Sequence, residues 1–297
     1  MTRRMACGSL AAAAGSLLAK TSRFQLAVCN ETYDPMSFAD GCRAMKKAGY
    51  DGVEIAPPTL SEDPAALPAS RRAELRNIMR SEGLRYVGLH RLLTVPKGLH
   101  VTTPDAAVRE RSWSYLVRLI DLCADLGPGG VMVVGGSKER STVNGCTVAE
   151  AVGRIQEGLG RLAPHAAQRR VTILLEALAP RLSDVINTMD EVVRIVRQVN
   201  SPAVTGMFDV HNAAAEKIPH GDVIRKYSRY IGHVHFNEMD GKRPGLGDYD
   251  YKPVMQALKD LSYDRWISVE PFDFAGGGEK VGRDSIEFIR AREAELT

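Results

Sequence analysis

From Phe24 onward, short β-branched runs alternate with longer amphipathic stretches eight times over, and few folds accept that pattern. The apolar runs at 24–29, 52–55, 84–90, 131–135, 171–176, 204–209, 231–235 and 266–270 read as strands. Between them, 37–48, 68–81, 105–125, 148–168, 188–199, 223–230, 251–260 and 283–295 carry helical periodicity. Each unit has about 34 residues, close to the roughly 30 that a strand–helix pair needs. The runs VMVV and VTILL are apolar without alternation, which suits parallel strands buried on both faces. Eight such units in one chain predict an α/β fold, a single-domain (β/α)8 barrel. A doubly wound open sheet is the competitor. It would often place a glycine-rich phosphate loop after the first strand, where this chain has Asn30-Glu31-Thr32-Tyr33-Asp34-Pro35.

Composition removes several function classes. With 44% hydrophobic and 25% charged residues, the chain can bury a sizeable core and is not disordered. A net charge of +3, with no basic block, gives no footprint for nucleic acid. No apolar run is long enough for a stable membrane span. Five cysteines with no CxxC pair read as single buried or semi-buried thiols. The first 20 residues, MTRRMACGSLAAAAGSLLAK, stand apart. Arg3 and Arg4 before a run of small apolar residues have the layout of an export signal of the twin-arginine type, which predicts a periplasmic protein. The alternative is a partly helical extension on a cytoplasmic one. The barrel domain is expected over 21–297.

A barrel makes a sharp demand: its chemistry sits at the C-terminal ends of the strands. Six of the eight candidate strands finish on Glu54, His90, Glu176, Asp209, His235 and Glu270. The last four, one per strand, are three carboxylates and an imidazole. That set suits one hard or borderline divalent cation such as Mn²⁺, Mg²⁺ or Co²⁺. Glu54 and His90 either line a substrate pocket or are hydrogen-bonded strand-end residues. His233 alternates with His235 and faces the same way, as a core histidine or one that orients a ligand.

In chain order, the stretches Leu174-Leu175-Glu176, Phe208-Asp209-Val210-His211-Asn212, Gly232-His233-Val234-His235-Phe236-Asn237-Glu238, Pro244-Gly245-Leu246-Gly247-Asp248 and Val269-Glu270-Pro271-Phe272 resemble the xylose isomerase-like superfamily. That group includes ketose 3-epimerases, hydroxypyruvate isomerases, inosose dehydratases and nucleases of the endonuclease IV type. The resemblance implies that Glu176, Asp209, His235 and Glu270 are metal ligands and that Glu176 and Glu270 also move protons. It further implies that His211 and Arg243 contact substrate. Two departures stand out. The family commonly spaces aspartate and histidine as D-x-x-H, whereas here the spacing is D-x-H. Ketose 3-epimerases usually carry a further carboxylate shortly after the first ligand, where this chain has Ala179-Pro180-Arg181-Leu182.

The expected activity is therefore a metal-dependent sugar isomerase or epimerase that transfers a proton next to a carbonyl through an enediolate. A lyase of the inosose-dehydratase type is the alternative. A DNA-repair nuclease and a sugar-binding barrel are more distant ones. The expected partner is a small carbohydrate. The oligomeric state is open, with a homodimer as the natural candidate because barrels of this size often pair.

Overall fold

The computed structural model describes residues 23–297. Eight strands, β1 (Gln25–Cys29), β2 (Gly52–Ile55), β3 (Arg85–Leu89), β4 (Val131–Val134), β5 (Thr172–Glu176), β6 (Val204–Asp209), β7 (Ile231–Phe236) and β8 (Trp266–Val269), pair in sequence order into a closed parallel barrel. Around it run α1 (Phe38–Ala48), α2 (Ala69–Ser81), α3 (Ala106–Leu126), α4 (Ser137–Arg140), α5 (Val148–Arg169), α6 (Met189–Val199), α7 (His220–Tyr227), α8 (Lys252–Asp260) and α9 (Gly278–Ala294). This is the (β/α)8 barrel expected, not the open sheet, because β1 closes on β8 with Val28 opposite Val269.

Four of the helices, α1, α3, α5 and α6, start where side chains supply caps. Ser37 accepts from the Asp40 amide, Asp105 from the amides of Ala107 and Val108, and Thr147 and Thr188 form reciprocal capping boxes with Glu150 and Glu191. The amphipathic faces these helices present are buried against the outside of the barrel, where Leu116, Leu119, Ile155, Leu159, Val192 and Val196 pack. Trp113 and Tyr115 belong to this core.

Three differences from the sequence reading are informative. Helix α7 starts at His220, earlier than expected, after Pro219. The short α4 follows β4, too brief to leave a periodic signal. Helix α9 begins at the glycine run rather than at 283: Gly276 and Gly277 have φ of 94° and 87°, and a methyl group on Gly278 would run into the Thr32 carbonyl. The run thus lets α9 close against the turn after β1.

Inside the barrel, alternate residues point inward. Val133, Leu174 and Met207 form a small apolar cluster on the β4–β6 side. Across from it the lining is polar, with Glu54, His233 and Ser268 wholly buried. The four cysteines among the described residues are free and buried. No helix there is long and apolar enough to cross a membrane. The export signal expected in residues 1–20 lies outside the described residues.

Candidate active site

Ladder register brings the strand-end residues together. In β6 and β7, Asp209 stands opposite His235, and in β1 and β2, Cys29 stands opposite Glu54. Glu176 and Glu270 flank Asp209 and His235 in strand order. Ligand atoms of Glu176, Asp209 and His235 all lie within 4.8 Å of one another. His235 Nδ1 is 2.9 Å from Glu270 Oε2 and 3.5 Å from Asp209 Oδ2. The four residues are nearly or wholly buried.

The histidine is oriented from behind. Its Nε2 lies 3.1 and 3.3 Å from the two Glu54 oxygens, which leaves Nδ1 aimed at the carboxylates. Glu54 Oε2 also meets His233 Nε2 at 2.8 Å, and Glu54 Oε1 lies 3.6 Å from His90 Nδ1. Burial alone would raise Glu54, but His235 and then His233 outweigh it and hold the carboxyl well below its usual range. Burial works against a charged His235, yet Glu270 and Glu54, helped by Asp209, hold it well above the ordinary imidazole value. Glu176 is pushed well up by burial and by the charges of Asp209 and Glu270, and burial raises Glu270 as well.

These shifts describe a cluster short of positive charge. Two buried atoms, Asp209 Oδ2 and His235 Nδ1, have no hydrogen-bond partner. Orphaned donor atoms facing each other across a few ångströms, backed by a carboxylate–histidine pair, fit a divalent cation. Three carboxylates and one neutral imidazole are the donor set such a cation takes.

The remaining polar residues fix this arrangement. Asn212 donates from Nδ2 to Glu176 Oε1 at 2.9 Å, and its own amide donates to Asp209 Oδ1 at 3.2 Å. Asn237 accepts the His211 amide at 2.8 Å and donates to the Glu270 carbonyl at 3.2 Å. Arg140 is fully buried, donates to the carbonyls of Val134 and Ile186, and places its charge in the field of Glu176. Sequence reasoning passed over the roles of Asn212, Asn237 and Arg140, although Asn212 and Asn237 sit in the stretches that carry the family resemblance.

The other expected site residues are placed as follows. Glu54 is completely buried and held by His233 and His235, the arrangement of a hydrogen-bonded strand-end residue, which is one of its two readings from the sequence. His90 is also buried, 2.7 Å from Glu31 Oε1 and 3.7 Å from Glu270 Oε1. His211 is at the rim, with Arg181 Nη2 at 2.8 Å from its Nε2 and the Phe272 ring at 4.9 Å. Arg243 is turned toward α9, where Nη2 meets Asp284 Oδ2 at 3.2 Å, and it is not brought to the cluster.

Two substitutions test this geometry. At the end of β4, a methyl group on Gly135 would run into Glu176 Oε2. Gly135→Ala is therefore expected to displace that carboxylate and cut kcat by about 100-fold, because misplacing a reacting group by about 1 Å costs that much. Circular dichroism and thermal melting should stay near wild type; retained activity with an unmoved Glu176 would refute the placement. Glu54→Gln removes the charge that orients His235. It should weaken divalent-metal affinity by about 10 to 100-fold in a calorimetric titration, whereas unchanged affinity would show that Glu54 only packs.

Comparison with known proteins bears on the fold and the family. A family model described as xylose isomerase-like TIM barrel matches residues 42–292. The D-psicose 3-epimerase of Agrobacterium fabrum is 26% identical over 235 residues, covering 78% of each chain. A probable ketose 3-epimerase of Synechocystis is 24% identical over 275 residues, covering 82% of this chain and 87% of the other. The crystal structure of D-psicose 3-epimerase with D-tagatose from Clostridium cellulolyticum H10 superposes with a TM-score of 0.78 at 20% identity. It covers 91% of this chain and 99% of that one. At that identity the likeness shows the fold.

Proposed function

The chain belongs to the xylose isomerase-like TIM barrel family, and from that premise we propose that it is a divalent-metal-dependent sugar epimerase that moves a proton on the carbon beside a ketose carbonyl. The observation that carries this is the placement of two buried carboxylates, Glu176 on β5 and Glu270 after β8, on either side of Asp209 and His235. The names of the relatives above, ketose 3-epimerases, support the same reading.

Glu176, Asp209, His235 and Glu270 would hold a divalent cation, which would supply Lewis-acid polarisation of the substrate oxygens. The protein then needs a base and an acid. One glutamate withdraws the C–H proton from one face of the sugar, leaving an enediolate. The other delivers a proton to the opposite face and inverts the centre. In the reverse direction the two exchange roles. Asn212 holds Glu176 Oε1 and so fixes the orientation of that carboxylate. Asn237 ties the Glu270 backbone to the loop that bears His211. The burial of all four ligands keeps water from competing for the proton.

The direct test is product analysis. Metal-loaded protein, incubated with ketoses and with their carboxylate and phosphate derivatives, should interconvert one of them with an epimer, read by chromatography. Net loss of water would move the assignment to a dehydratase. No conversion of any compound would contradict the proposal.

A further inference from the structure

Arg181 lies in the loop after β5, and every contact it makes uses Nη2. That atom is 2.8 and 3.1 Å from the two ring nitrogens of His211, 3.4 Å from the His211 carbonyl and 3.3 Å from that of Met239. None of these partners is a carboxylate. Among the described residues no carboxylate comes within 4.0 Å of Arg181, and Nη1 and Nε have no protein partner. Other arginines on this face are compensated: Arg243 pairs with Asp284 at 3.2 Å, and Arg91 lies 3.9 Å from Glu31. Arg181 is thus a positioned, exposed and uncompensated cation.

Its surroundings form a binding edge. The Phe272 ring lies 4.9 Å from that of His211 and is 46% exposed. Gly241, with φ of 84°, fits where a side chain would crowd both Phe272 and His211. The loops after β5, β6 and β8 therefore offer a guanidinium, an imidazole and an apolar ring at the rim of a deeply acidic centre. A guanidinium with free N–H groups matches the planar or tetrahedral oxygens of an anion.

We propose that Arg181 reads a negatively charged group on the substrate, a carboxylate or a phosphate monoester, so that the sugar taken is an acidic ketose rather than a neutral one. This rests on the epimerase reading for the reaction but not for the binding, and the test separates the two. Affinities of metal-loaded protein for sorbitol, sorbitol 6-phosphate and gluconate, none of which can enolise, are measured by calorimetry for wild type, Arg181→Gln and Arg181→Lys. Wild type should favour at least one anion over sorbitol by roughly 10 to 100-fold, the worth of a charge-assisted hydrogen-bonded pair. Arg181→Gln should bring that ratio near one and Arg181→Lys should restore part of it. Which anion gains identifies carboxylate or phosphate. No anion preference in wild type, or a preference that survives Arg181→Gln, would overturn the proposal. If an Arg181-dependent preference is found and no acidic ketose is turned over, anion recognition stands and the epimerase reading fails.

Discussion

Glu270→Gln is expected to lower kcat by at least about 10³-fold, and Glu176→Gln to do the same, while both proteins stay folded. The amide has the volume of the carboxyl, so the packing around β5 and β8 is kept. What is lost is the ability to take or give a proton. General acid–base groups contribute typically 10² to 10⁴-fold, and in the proposed site each glutamate would also hold the cation. A reaction that inverts a centre needs both faces served, so neither glutamate can stand in for the other. A measurement of kcat and KM, with bound metal counted in the same samples, separates the two losses. Either variant turning over near the wild-type rate, with metal bound, would rule out the two-carboxylate mechanism.

Removal of the metal is expected to be as damaging. Dialysis against a chelator should abolish turnover, and Mn²⁺, Mg²⁺ or Co²⁺ should restore it. The structural reason is the buried pair Asp209 Oδ2 and His235 Nδ1, 3.5 Å apart and without a well-aligned hydrogen bond, beside the carboxylates of Glu176 and Glu270. The sign of the pH dependence follows. Without a cation, Glu176 and Glu270 sit above the usual carboxylate range and His235 above the usual imidazole range. These groups hold protons that a cation must displace, so binding releases protons and affinity rises with pH, by up to about tenfold per unit for each proton released. A pH indicator in weak buffer reads that release. Full activity in chelated protein that elemental analysis finds free of metal would contradict this account.

Much of the fold was legible because each strand–helix unit is locally consistent. The strand reading matched the bounds of β2 and β6 and came within one residue at each end of the others, since β-branched runs between caps leave little choice. Helix α4 was not legible, because four residues leave no period, and α9 was read too short because its first turn is glycine-rich and packs through the Thr32 backbone. The metal-type set was legible because barrels place chemistry at strand ends. Its supports were not. Glu54 read from its position as either a pocket residue or a hydrogen-bonded strand-end residue, and only the closure of β1 and β2 against β7 and β8 puts it against His235. Arg181 lies in an aperiodic loop, and its contact with His211 spans 30 residues. Arg243 shows the converse: its sequence context pointed to substrate, whereas its guanidinium meets Asp284 on α9.

The central claim is proton transfer at a carbon beside a carbonyl, and solvent deuterium uptake tests it most directly. Metal-loaded protein lacking residues 1–20 is incubated in D₂O with neutral and acidic ketoses, and C–H exchange is followed by NMR. The account predicts metal-dependent replacement of one C–H by C–D in substrate and epimer, lost in Glu176→Gln and Glu270→Gln. Epimer formed without deuterium, or no exchange with any compound despite bound metal, would contradict it.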